Sequence, residues 1–155
     1  MEFILFLAAK EKEILELINK AGFSVEENTP LCFLGDKYVG FIKKRQRTVV
    51  ICTENAKINN GYFLPGPSHN NAKNRTAISI RKALRHEATH VAQDCNDSQL
   101  LGIFKQNTNI HKWYKRNAII ESTSIGNIKE EREAEAYYME DRPNTVISAL
   151  KKYCL

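Results

Sequence analysis

One stretch constrains this chain more than any other: Ala83-Leu84-Arg85-His86-Glu87-Ala88-Thr89-His90-Val91-Ala92-Gln93. It holds His-Glu-x-x-His, a pattern that on a helix makes a zinc site with its own general base. Side chains four apart on an α-helix share a face, so His86 and His90 can turn both imidazoles toward one ion. Glu87 sits one step further round, beside that ion and within reach of a water, without being a ligand. Ala83, Leu84, Ala88, Val91 and Ala92 favour or tolerate a helix, and no Gly or Pro interrupts them. Ile80, Leu84, Ala88 and Val91 recur at helical spacing and would bury the opposite side. The competing reading is a helix with two solvated histidines. A third ligand would decide against it, since a catalytic zinc takes three protein ligands and keeps one position for water.

Residues 129–141 read Lys-Glu-Glu-Arg-Glu-Ala-Glu-Ala-Tyr-Tyr-Met-Glu-Asp, a carboxylate-dense helix with small residues at Ala134 and Ala136. Taken together, His86-Glu87-Ala88-Thr89-His90 and Glu131-Arg132-Glu133-Ala134-Glu135-Ala136-Tyr137-Tyr138 resemble the gluzincin zinc metallopeptidases, most of all the compact ImmA/IrrE-type and M48-type members. The resemblance covers these two segments only. It implies that a Glu of the second helix is the third Zn²⁺ ligand and that the Ala residues let the two helices close up. Glu133 fits either alignment of the segment and is the favoured ligand. The rival register has Glu131 ligating, with Glu135 bonding the second nitrogen of a zinc histidine, a task also open to Asp94. His111 is a further alternative as third ligand.

With 155 residues, the chain is long enough for one domain with a real core, read as residues 1–155. The apolar fraction of 43% and charged fraction of 26% are those of a soluble globular protein. Net charge is +5, but the basic residues are scattered rather than interleaved with aromatics, which argues against nucleic acid as a partner. Cys32, Cys52, Cys95 and Cys154 show no Cys-x-x-Cys spacing. With no signal peptide in view, they read as reduced thiols in a cytoplasmic protein.

Phe3 to Ala9 is apolar but too short to span a bilayer and lacks a preceding Lys or Arg. It runs into Ile14, Leu15, Leu17 and Ile18 at helical spacing, which predicts one amphipathic helix over 3–20, stopped by Gly22. Leu31–Leu34, Tyr38–Ile42 and Thr48–Cys52 read as strands, with turns at 35–37 and 43–47. Residues 54–76 read as a long loop with one short strand, in which Gly61–Leu64 would line a cleft if the resemblance holds. His69 reads as solvated, and Thr76 or Ser79 as a cap for the metal helix. A last helix follows Pro143.

The expected fold is therefore α+β, with a small antiparallel sheet on an active-site helix and a second helix carrying a metal ligand, as in zincins. The expected function is peptide-bond hydrolysis on a peptide or protein substrate, with no membrane. Glu87 would move the proton, and Tyr137 or Tyr138 could add a donor, though core packing suits each. Two other readings stay open: a zincin-like protein that only binds a partner, and a basic regulatory domain touching nucleic acid through 43–47.

Overall fold

The structure, a computed structural model, describes residues 1–34, 38–102 and 127–155, without the side chains of 127–129. Within them the architecture is α+β: a three-stranded sheet with five α-helices and two short 3-10 turns.

The N-terminal helix is shorter than its apolar pattern predicts. Glu2–Phe6 is a 3-10 turn, and α1 spans Ala9–Lys20. The break at Leu7–Ala8 has a visible cause. Glu27 accepts the backbone N–H groups of Glu2 (2.9 Å) and Phe3 (2.6 Å), anchoring the turn while Phe3 and Phe6 are buried separately from α1. Gly22 does stop α1. It takes φ +86°, and the N–H groups of Gly22 and Phe23 cap the carbonyls of Asn19 and Ile18.

Strands β1 (Ser24–Glu27), β2 (Gly40–Lys43) and β3 (Thr48–Ile51) lie in the order β1-β3-β2. β2 turns back antiparallel on β3, placing Gly40 opposite Ile51, as the turn at 43–47 predicts. β1 runs parallel to β3, so the sheet is mixed rather than antiparallel. β1 escapes the sequence pattern because Ser-Val-Glu-Glu offers a single apolar residue. The predicted strand at Leu31–Leu34 is instead a 3-10 turn over Pro30–Leu34 that buries only Cys32.

The expected loop at 54–76 is largely helical. α2 covers Thr53–Asn59, and α3, the helix that carries His86 and His90, runs from His69 to Cys95. Thr76 and Ser79 therefore lie inside α3 instead of capping it; Thr76 Oγ1 donates to the Ala72 carbonyl and Ser79 bonds Asn60. Weak local propensity in this Asn-rich stretch is outweighed by docking: Ala72, Thr76 and Ile80 are buried and Arg75 reaches the Asn60 carbonyl. α4 (Asn127–Met139) and α5 (Pro143–Cys154) complete the described chain, with Pro143 opening its helix. One core joins Phe3, Ile14, Ile18, Ile51, Ile80, Leu84, Met139 and Leu150. No described helix is long and apolar enough to cross a membrane.

The expectation of four reduced thiols is overturned. Cys32 is joined to Cys52 and Cys95 to Cys154, with Cα separations of 5.6 and 5.2 Å. Spacing along the chain hides this, because tertiary packing makes both pairs. The 3-10 turn lays Cys32 against the end of β3, and α5 brings its last turn to the end of α3. Disulfides are rare in reducing cytosol, so the ground for a cytoplasmic assignment goes with the thiols.

Candidate metal centre

α3 presents its ligand face because its other face is committed to the core: Ile80, Leu84, Ala88 and Val91 are fully buried. His86 and His90 are left side by side, ring centroids 5.0 Å apart. α4 comes close at Ala134 and Ala136, both buried, and brings Glu133 between the two rings. Glu133 Oε2 lies 3.2 Å from His86 Nε2, and its Oε1 lies 2.6 Å from His90 Nε2. One ligand atom from each residue falls within 4.8 Å of the others. Zinc bonds N and O donors at about 2.0–2.2 Å, which places tetrahedral ligands roughly 3.3 Å apart. The donor set therefore fits such an ion.

The far nitrogens of both rings are also held. His86 Nδ1 lies 3.1 Å from Glu140 Oε1, and His90 Nδ1 lies 2.8 Å from Gln93 Oε1. Such partners orient metal-binding histidines and fix which nitrogen keeps its proton. The sequence reading missed both. Gln93 could have been found, since it sits three residues after His90 on the same helix face. Glu140 gave no signal, because the turn between α4 and α5 carries it back over His86. Asp94 faces Arg47 instead, at 3.9 Å. Glu131 is half-exposed and outside the cluster, and Glu135 is buried and also outside it, accepting from Gln93 and the Leu101 N–H. His111 lies outside the described residues.

Glu87 is buried beside this group, and the sheet reaches it. A Cβ on Gly40 would stand 3.3 Å from Glu87 Cγ and 3.3 Å from Ala83 Cβ, so a glycine lets edge strand β2 touch α3 at this point. Burial pushes the Glu87 carboxyl above its ordinary range; His86 and His90 pull it back, while Glu133 and Glu140 add to the rise. Burial alone would disfavour a charged His86. The hydrogen bonds that His86 donates to Glu133 and Glu140, with the charges of Glu87 and Glu133, outweigh that and raise it to about 10. Burial likewise works against a charged Glu133, but its bonds to His86 and His90 hold it well below the usual carboxylate range.

A family model described as a domain of unknown function, DUF8637, matches residues 3–155. The chain belongs to the DUF8637 family. No curated protein and no solved structure matches it.

The remaining predicted residues of this DUF8637 chain fall away from the cluster, with one exception. Tyr137 sets its ring edge-on to His86, centroids 4.7 Å apart, whereas Tyr138 stacks under Arg142. His69 is half-buried against the Tyr62 ring rather than solvated. Phe63 and Leu64 are exposed beyond the end of α2. The basic turn is partly spent on structure: Arg47 donates to the carbonyls of Ala21 and Gly22 and covers the Phe23 ring, and Lys43 pairs with Glu26.

Proposed function

We propose that this protein is a zinc-dependent peptidase built on a compact gluzincin-like plan. The observation that carries this is the convergence of His86, His90 and Glu133 next to a buried Glu87 that is free of the ligand set. His86 and His90 would hold the ion through Nε2 and Glu133 through its carboxylate. When bound, zinc supplies Lewis acidity, bringing the pKa of a water to about 7 and polarising a carbonyl. Glu87 accepts a proton from the attacking water and returns it to the departing amine. Glu140 and Gln93, at the two Nδ1 atoms, would leave each Nε2 to serve as the ligand atom. Strand β2, an edge of the described sheet lying against α3 at Glu87, suits an extended peptide that adds as a further strand.

Zinc content and cleavage of unstructured casein test this together. Wild type should hold one zinc per chain and cleave; His86→Ala and Glu133→Ala should lose both properties. Glu87→Gln should keep zinc and lose cleavage, and Glu131→Ala should keep both. A wild type that binds no zinc after reconstitution would falsify the reading. The nucleic-acid alternative draws no support from a turn whose Arg47 is committed to backbone carbonyls.

A further inference from the structure

His86 and His90 are not held in the same way. His86 rests on a carboxylate, which can only accept from an imidazole N–H. His90 rests on the amide of Gln93, and an amide can offer either its oxygen or its NH2 from nearly the same place. The orientation of that amide decides which nitrogen of His90 carries the proton.

Its surroundings settle the orientation. Gln93 is buried, with Nε2 3.1 Å from the Arg132 carbonyl and 2.9 Å from Glu135 Oε1. A backbone carbonyl only accepts, so the nitrogen of Gln93 must face α4 and its oxygen must face His90. Nδ1 of His90 is then a donor to Gln93, so Nε2, which donates to Glu133 here, is the nitrogen whose lone pair becomes available to an ion once its proton leaves. Glu135 is fixed in its turn. The Leu101 N–H donates to it at 2.9 and 3.1 Å, and Tyr153 Oη donates to the Leu101 carbonyl at 3.1 Å.

We propose that Gln93 is a positioning residue that sets the tautomer of His90 for metal binding, oriented by the Arg132 carbonyl and Glu135. This rests on the metal reading above and deepens it. α4 then contributes twice to the site, once with Glu133 and once, two residues on, by telling Gln93 which way to lie.

The test measures zinc affinity by chelator competition in wild type, Gln93→Met, Glu135→Gln and the double variant, with circular dichroism as the check on folding. Gln93→Met should weaken zinc binding about 10–100-fold, the range for lost partners of metal histidines. Glu135→Gln should weaken it less, and should add nothing once Gln93 is gone. In the zinc-loaded proteins, proton NMR should show slowly exchanging Nδ1–H signals from both histidines in wild type. In Gln93→Met that of His90 should vanish while that of His86, held by Glu140, persists. A general loss of stability would not single out one ring. Folded Gln93→Met with wild-type affinity, or losses that simply add in the double variant, would overturn the relay and leave the zinc site standing. If Gln93→Met folds poorly, unchanged affinity in the near-isosteric Glu135→Gln overturns it instead. A wild type without zinc overturns both.

Discussion

Two carboxylates in this protein are each gripped by a pair of side chains four residues apart on α3. Glu11 of α1 lies 3.9 Å from Arg81 and 3.2 Å from Arg85; Glu133 of α4 lies 3.2 Å from His86 and 2.6 Å from His90. The layouts match and the chemistry does not. A guanidinium has no lone pair to give and does not lose its proton, so the first cluster can only be an ion pair. An imidazole can shed its proton and offer the freed nitrogen to a metal. Spacing creates the grip, and donor type decides what it can hold. The clusters are also joined. Arg85 donates Nε to the Glu140 carbonyl, and the Glu140 side chain receives His86, so the arginine pair braces the histidine pair.

The largest expected effect falls on the histidine cluster alone. Glu87→Gln should lower kcat on casein by about 10²–10⁴-fold, the usual contribution of a general base, with zinc content unchanged. An equal loss from Glu11→Gln in folded protein would show that the two clusters are not functionally distinct. Next comes stability. Glu11→Ala leaves two arginines facing a buried gap and should cost about 3 kcal/mol in urea unfolding. The zinc affinity of the protein that stays folded should hold; a parallel fall would mean that the brace through Arg85 sets the site itself.

pH separates the clusters without mutation. With the metal removed, His86 rises from 6.5 when unfolded to about 10 when folded, so charging it favours the fold. That stabilisation is complete below pH 6.5, drains away as pH climbs, and is gone above about 10. Urea midpoints of chelator-treated protein should fall across this window. With zinc bound the trend should reverse at its lower end, because protons compete with the metal for the same nitrogens. A flat metal-free profile would break the contrast. The smallest effect belongs to Gly40→Ala, whose Cβ meets Glu87 Cγ and Ala83 Cβ at 3.3 Å. It should reduce kcat by up to about tenfold, or 1.4 kcal/mol, and leave zinc affinity alone.

The part of the site legible in the sequence is the part that local geometry fixes. His86, Glu87 and His90 lie within one and a half turns of a single helix, where spacing alone dictates facing. Glu133 came within reach only as one of several neighbouring carboxylates, because the register of α4 on α3 is settled by Ala134, Ala136 and the Gln93 bonds. Glu140 was invisible, since it is contributed by a turn. In the fold, β3 and the hairpin were readable from their β-branched run. β1 was not, because half of its residues are glutamates that cap a turn and pair with a lysine. Residues 69–76 look like a loop until their docking on Asn60 is seen, and neither disulfide has a signature in spacing.

The bond between Cys95 and Cys154 closes a ring of chain that contains Glu133 and Glu140, with His86, Glu87 and His90 just outside it. A single proteolytic cut anywhere from residue 96 to 153 therefore cannot separate the pieces. Nicked protein would run as one species, with every proposed ligand still on the same covalent molecule. Only a reductant would release the fragments, and with them the partnership between α3 and α4.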